Sequence, residues 1–226
     1  MSLELIGHAF SSYTWKALIA LYSNGTEFDF RGITPGDQRE ADFLRKVHPA
    51  GKFPVLLDGG TTVIESTSII EYLAVHHPGP APLIPADPAE AVFARMIDRV
   101  FDNYVMGNMQ RVVAAHFVDP DDPAGRGLRD KPDAAEVEAG KARLRQAYAC
   151  LERWLAENEL PPHVSIVTCA AAPSLFYADW VERIPADCPR LSDLRAELLS
   201  LPAVSRCVED ARPYRQFFPP GAPDRD

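Results

Sequence analysis

Two adjacent serines at the start of a predicted helix could act chemically on an anion. Ser11 and Ser12 precede an apolar face that Trp15, Leu18 and Ile19 form at helical spacing. The unpaired N–H groups and the dipole of a helix N-terminus favour a nearby anion. Lowering the pKa of a thiol from about 8.5 by about two units takes about 2.7 kcal/mol, and one hydrogen bond to a charged group contributes about 1.5–3 kcal/mol. One serine hydroxyl could therefore hold a thiolate. The alternative is a serine that only caps the helix.

A second candidate lies where a predicted strand gives way to a predicted helix. The free N–H groups that open a helix bind anions, and the hydroxyl of Ser66 adds a donor for a carboxylate. Glu65 beside it offers a negative charge to an ammonium group. The pair therefore suits the α-amino-acid end of a ligand. The alternative is that Ser66, or Ser68 with Glu71, only caps the helix.

A third candidate is the dipeptide Phe53-Pro54 before the apolar run Val55–Leu57. Proline cannot donate to a strand ladder, so it is expected at the start of an edge strand. A cis X-Pro bond there would turn the backbone of Phe53 outward. Its N–H and C=O could then pair with an extended peptide. The alternative is a proline that only begins the strand.

The elements that must position these residues alternate between strand and helix over the first 77 residues. Two glycines, Gly59 and Gly60, predict a hairpin turn between the last two strands. The predicted order is β-α-β-α-β-β-α. Strands are predicted at 3–7, 28–33, 53–58 and 61–64, and helices at 12–24, 37–48 and 66–76.

The rest of the chain has a different pattern. Five prolines between Pro78 and Pro88 predict an extended linker, and helical signals follow it. The predicted domains are therefore 1–77, with a linker at 78–87, and an all-helical domain at 88–226. The first helix of the second domain begins at the N-cap Asp87. Its periodicity places the following residues inward: Phe93, Met96, Ile97, Val100, Phe101 and Tyr104.

Composition excludes several classes of protein. The chain has 226 residues, 46% of them hydrophobic, and a formal net charge of −9, which argues against nucleic-acid binding. We find no membrane-spanning run and no signal-peptide pattern. The four cysteines, Cys150, Cys169, Cys188 and Cys207, lack the spacing of a metal site. We therefore expect no metal, no membrane partner, reduced and mostly buried thiols, and a cytoplasmic location.

The three candidates and the order of elements together resemble the cytosolic glutathione transferase superfamily, over nearly the whole chain. The resemblance implies an α+β two-domain protein, with a thioredoxin-like βαβαββα domain followed by an all-α helical bundle. It also implies glutathione as co-substrate, a role in detoxification and a homodimer. Its most specific runs are His48-Pro49-Ala50-Gly51-Lys52-Phe53-Pro54-Val55-Leu56 and Val63-Ile64-Glu65-Ser66.

The resemblance also implies roles for the residues in these runs. Phe53, with Pro54, would hold the cysteinyl backbone of glutathione. Glu65 and Ser66 would hold its γ-glutamyl end, and Lys52 would face the glycyl carboxylate. Side chains of the helical domain would bind the second substrate. Pocket residues expected there are Tyr104, Met109 and Phe117, although aromatic and Met residues at helical spacing often belong to the core.

The first turn resembles that of serine-type bacterial members, nearest to a zeta- or theta-like pattern. Ser11 then matches the activating serine, with Ser12 and Tyr13 as alternatives. Two departures weaken an isomerase assignment, because Tyr13 stands where a zeta-like cysteine is usual and Ala17-Leu18 replaces the usual Val-Arg.

The leading hypothesis is a glutathione transferase that directs the thiolate onto a small apolar electrophile. Two other functions stay open: a glutathione-dependent, zeta-like isomerase, and a non-catalytic protein that binds glutathione or an apolar ligand. A thiol-disulfide oxidoreductase is disfavoured because the first turn has no cysteine.

Overall fold

A computed structural model describes residues 3–118 and 127–226 of the chain. The N-terminal half alternates strand and helix in the predicted order. Its strands are β1 (Glu4–Gly7), β2 (Asp29–Gly32), β3 (Val55–Asp58) and β4 (Thr61–Ile64), and its helices are α1 (Ser12–Asn24), α2 (Gln38–Val47) and α3 (Ser66–His76).

The four strands form one sheet in the order β2-β1-β3-β4. Strand β1 runs parallel to β2 and antiparallel to β3, and β3 runs antiparallel to β4. Successive side chains of a strand point to opposite faces. Leu5 and Leu56, paired across the sheet, join the main core with α1 and α3. Ile6 and Val55 join a smaller cluster with Leu44 of α2 on the other face.

The C-terminal half is helical. Helix α4 (Pro88–Val100) continues through a π-helical turn (Phe101–Met106) into α5 (Gly107–Ala114). The remaining helices are α6 (Ala134–Leu155), α7 (Ile166–Val181), α8 (Pro189–Ser200) and α9 (Pro202–Ala211), followed by a 3-10 turn (Arg212–Phe217).

Helix α7 is the centre of the molecule. Every residue from Ile166 to Val181 is buried, as expected of a helix that is apolar all round. The main core is continuous from Leu5 and Ile69 of the N-terminal half to Ala170 and Leu175 of α7. The two halves therefore pack against each other through a shared core.

These elements confirm the predicted fold class, an α+β protein with a thioredoxin-like N-terminal part and an all-helical C-terminal part. The division at 77 and 88 stays a prediction, although α3 ends at His76 and α4 begins at Pro88. Within the described residues, no helix combines the length and apolar composition needed to cross a membrane. The four cysteines are free, and only Cys150 is exposed.

The predicted inward face of α4 is partly wrong. Phe93, Met96 and Tyr104 are 38%, 47% and 54% exposed. Ile97 and Phe101 are buried as predicted, but they share their face with small residues and with a buried acid, Asp98. An aspartate is buried only with a partner; Asp98 pairs with its neighbour Arg99 and with Lys16 of α1, far away in sequence.

Candidate functional site

Ser11 is the N-cap of α1, with extended backbone at φ −90° and ψ 123°. Its Oγ accepts a hydrogen bond from the backbone N–H of Thr14 at 3.2 Å. A hydroxyl has one donor and two acceptor positions. Because Thr14 uses an acceptor position, the Ser11 proton can still be donated to an anion. The helix dipole and this hydroxyl donor both favour an anion at the N-terminus of α1.

Ser12 is placed differently from Ser11. Its side chain is buried, at 4% exposure, and its Oγ accepts from Nε2 of Gln110 on α5 at 3.2 Å. Ser12 therefore faces the helical half of the molecule. The structure therefore gives different surroundings to two neighbouring serines that the sequence alone could not distinguish.

Tyr13 lies half-buried between two acids. Burial, with the negative charges of Asp102 and Glu65, raises the pKa of Tyr13 to about 12. The hydroxyl therefore stays protonated near neutral pH and cannot serve there as a base.

Glu65 and Ser66 stand at the junction of β4 and α3. Glu65 is exposed, Ser66 is 6% exposed, and Glu65 has a φ of 68°. Glu65 is the one non-glycine residue with a positive φ among the described residues. Such conformations are costly and cluster at functional sites. The turn presents the Glu65 carboxylate next to the N-terminus of α3, where an ammonium and a carboxylate group could bind together.

Phe53 precedes β3, and the Phe53–Pro54 peptide bond is cis. Pro54 is buried, Phe53 is half-buried and Lys52 is exposed. Within the described residues, no backbone hydrogen bond engages the N–H or C=O of Phe53. Both groups are therefore free to pair with an extended ligand. Lys52 is next to Phe53 in the chain.

A buried charge cluster between the halves was missed by sequence reasoning. Lys16 of α1 is fully buried, and its Nζ lies 2.8 Å from Asp98 Oδ1, 2.6 Å from Asp102 Oδ2 and 2.9 Å from Thr67 Oγ1. The cluster thus joins the helix after Ser11 to the helix after Glu65. Burial raises the pKa of Asp102, and the Lys16 charge opposes that rise. A single lysine within the otherwise apolar run 15–21 was the available signal.

The three predicted pocket residues have different surroundings. Tyr104 of the π-helical turn is exposed. Met109 of α5 is 2% exposed and belongs to the core, so its side chain packs inside instead of facing an open cleft. Phe117 follows α5, pairs with Leu128 in an isolated bridge, and its carbonyl accepts from Nε of Arg129 at 2.7 Å.

No group of three or more His, Cys, Asp and Glu side chains in the described part of the chain is placed to hold a metal ion. What the site offers instead is hydroxyl and backbone donors, with one exposed carboxylate. A thioredoxin-like sheet packed on an all-helical half is the arrangement that the resemblance to the glutathione transferases implies.

Comparisons with known proteins agree with this class. Residues 5–81 match the family described as Glutathione S-transferase, N-terminal domain. A probable maleylacetoacetate isomerase from Vibrio cholerae is 28% identical over 221 residues, covering 94% of this chain and 98% of the relative. Another from Caenorhabditis elegans is 33% identical over 87 residues, so this chain spans 40% of that relative's length.

Solved structures give the same result for the fold. The β-etherase LigF from Sphingobium has a TM-score of 0.76 at 21% identity, covering 92% of this chain and 99% of that one. A glutathione S-transferase from Methylobacterium radiotolerans in complex with glutathione sulfonate has a TM-score of 0.73 at 25% identity, covering 92% and 95%. Residues 5–81 therefore belong to the glutathione S-transferase N-terminal domain family, and nearly the whole chain has the fold of these solved structures.

Proposed function

We propose that this protein is a glutathione transferase in which the Ser11 hydroxyl stabilises the glutathione thiolate. The observation that carries the proposal is the N-cap geometry of Ser11, whose Oγ accepts from Thr14 and keeps its proton to donate. One such hydrogen bond contributes about 1.5–3 kcal/mol, and the helix N-terminus about 0.3–1 kcal/mol. Together they suffice to make the thiolate the main form near neutral pH.

The remaining predicted residues would bind the tripeptide. The backbone N–H and C=O of Phe53 would pair with the cysteinyl residue. Glu65 would face the γ-glutamyl ammonium group, and Ser66, with the free N–H groups of α3, would hold the neighbouring carboxylate. Lys52 would meet the glycyl carboxylate. Relatives described as bound to glutathione sulfonate or glutathione support this ligand.

The reaction would begin when the thiol proton leaves to solvent and the thiolate stays bound to Ser11. The sulfur would then attack the electrophilic carbon of a small apolar substrate, forming an S–C bond. In a substitution, the departing group carries away the electron pair of the broken bond. Tyr104 and Phe117 remain the proposed contacts of that substrate.

A glutathione-dependent isomerase is the second candidate. The observation that favours it is the full-length similarity to the Vibrio cholerae protein, described as a probable maleylacetoacetate isomerase. Tyr13, at the place of the usual cysteine, stands against it. Turnover of an activated aryl halide, compared with isomerisation of a cis-unsaturated diketo acid, distinguishes the two functions.

We also propose a homodimer. Val92 and Met96 of α4 are 67% and 47% exposed, and Val75 of the adjacent α3 is 73% exposed. Arg95 and Glu71 form an ion pair between the two helices at 2.5 Å. Apolar side chains exposed on neighbouring helices suit contact with a second copy. Light scattering should give twice the chain mass, and a monomer would refute the dimer.

Titration of reduced glutathione into the folded protein, followed by calorimetry and by thiolate absorbance, tests the proposed function. Binding with a thiolate signal somewhat below neutral pH is expected. Binding without that signal would favour the non-catalytic carrier, and no heat at all would refute both. Cytoplasmic location and a role in detoxification stay predictions.

A further inference from the structure

The peptide unit just before Ser11 is held at both of its polar ends. Its N–H, which belongs to Ser11, donates to the carbonyl of His8 at 2.9 Å. Its C=O, which belongs to Phe10, accepts from the hydroxyl of Tyr177 at 2.9 Å. Tyr177 lies on α7, 167 residues away in sequence. The helical half thus reaches the backbone of the first turn through one side chain.

Tyr177 is suited to a fixed role because it cannot move or ionise easily. Its side chain is 2% exposed, and its ring packs on Phe10 and Trp15 with centroids 5.4 Å away in both cases. Burial raises the pKa of Tyr177 well above its usual value. Its hydroxyl therefore remains a neutral hydrogen-bond donor under ordinary conditions.

Two other side chains hold the same turn from close by. The indole Nε1 of Trp15 donates to the carbonyl of Ala9 at 2.7 Å, and the N–H of Phe10 donates to Nδ1 of His8 at 3.1 Å. These contacts lie within the first two elements. They leave the carbonyl of Phe10 to Tyr177, so the helical half holds one of the two polar ends of the Phe10–Ser11 peptide.

We propose that Tyr177 is a positioning residue for the Ser11 hydroxyl, fixing the peptide plane from which the Ser11 side chain projects. The inference rests on the proposed function, because it concerns the thiolate that Ser11 would stabilise. A rotation of that plane changes φ of Ser11 and swings its Cβ and Oγ. Hydrogen bonds weaken steeply as they lose alignment, and small misplacements reduce catalysis strongly.

Replacement Tyr177→Phe tests the proposal by removing the hydroxyl and keeping the ring. Tyr148→Phe is the matched control, because Tyr148 is equally buried and its hydroxyl donates to another backbone carbonyl, that of Glu182, also at 2.9 Å. Both variants lose one buried hydrogen bond, so both should lower the unfolding temperature by a similar amount. Only Tyr177→Phe affects the first turn.

For Tyr177→Phe we expect kcat/KM near neutral pH to fall by about threefold to tenfold. The pH profile should shift to higher pH, and the glutathione Kd should stay within about twofold, since Tyr177 does not touch the γ-glutamyl corner. Tyr148→Phe should match the wild type in kcat/KM, in pH profile and in glutathione Kd. A Tyr177→Phe profile identical to that of Tyr148→Phe would overturn the proposal.

The failure of this inference is separable from failure of the proposed function. If the wild type binds glutathione and lowers its thiol pKa while Tyr177→Phe does the same, only the role of Tyr177 is refuted. If the wild type binds no glutathione, the proposed function falls first. Amide hydrogen exchange gives a second measurement that needs no variant. The Ser11 amide should exchange at least about tenfold more slowly than the exposed Gly59–Gly60 turn, and equal rates would contradict a fixed peptide.

Discussion

The two ends of the proposed glutathione site are built in opposite ways. At the thiol end, Ser11 stands on a turn whose peptide groups are held by neutral, mostly buried donors, among them Trp15 and Tyr177. At the amino-acid end, Glu65 is exposed, charged and held in a rare backbone conformation. On the proposed function, geometry would control the acidity of the thiol, whereas charge would control the affinity for the tripeptide.

The largest effect is expected where the two ends are joined. Lys16→Met would leave Asp102 without its closest cation and Asp98 with Arg99 alone, which should cost about 3–5 kcal/mol of unfolding free energy. Urea unfolding measures this loss. Lys52→Met, at an exposed lysine, should stay within about 0.5 kcal/mol of the wild type. Equal stabilities for the two variants would mean that the cluster does not tie the ends together.

The next effect concerns the thiol end alone. Ser11→Ala removes the donor to the thiolate, so kcat/KM with an activated aryl halide should fall by about 10-fold to 100-fold, and the glutathione Kd should change by less than about twofold. For Ser12→Ala, which loses only the contact with Gln110, kcat/KM should fall by no more than about threefold. Unchanged turnover in Ser11→Ala would move the role to Ser12 or Tyr13.

Substitutions at the amino-acid end of the site should change the affinity for glutathione. Glu65→Gln and Ser66→Ala should each weaken glutathione binding by about tenfold in calorimetry, because each removes a polar contact to the γ-glutamyl group. The thiol pKa of the bound tripeptide should stay as in the wild type. Glu71→Gln, at a half-buried acid on the same helix that pairs with Arg95, is the control. Native affinity in both site variants would refute the γ-glutamyl assignment.

The smallest effect near neutral pH is expected from Tyr13→Phe, since the Tyr13 hydroxyl stays protonated there. A difference in unfolding free energy between the wild type and Tyr13→Phe should appear in alkaline solution. The pKa of Tyr13 is about 12 in the folded protein, against 10.0 for the free side chain. Between these values the unfolded chain loses the proton while the folded one keeps it, so the wild type loses stability as pH rises.

Urea unfolding of the wild type and of Tyr13→Phe across that alkaline range checks the direction in which the unfolding free energy changes with pH. The unfolding free energies of the two proteins should converge or cross as pH increases, because the variant lacks this titration. Parallel curves would show that Tyr13 is not held between Asp102 and Glu65. A large loss of turnover at neutral pH would instead give Tyr13 a part in activating the thiol.

Much of the fold could be predicted from local signals. The two-residue glycine turn, the apolar face of α1 and the cap at Asp87 specify elements that the structure contains at nearly the predicted places. The candidate residues Ser11, Phe53 and Glu65 were found because each lies at the end of an element, where free backbone groups are available.

The long-range contacts could not be predicted in the same way. Asp98 is buried because Lys16 meets it across 82 residues, and Tyr177 reaches Phe10 across 167. No local pattern marks either pair. For the same reason the face of α4 was misassigned: small residues and a paired acid form its buried side, whereas Phe93 and Met96 remain exposed.

The sharpest test is the thiol pKa of bound glutathione, measured by thiolate absorbance against pH in the wild type and in Ser11→Ala. We expect a midpoint about two units below that of free glutathione in the wild type, returning most of the way in the variant. A wild-type midpoint equal to that of free glutathione, or the same lowered midpoint in both proteins, would contradict it.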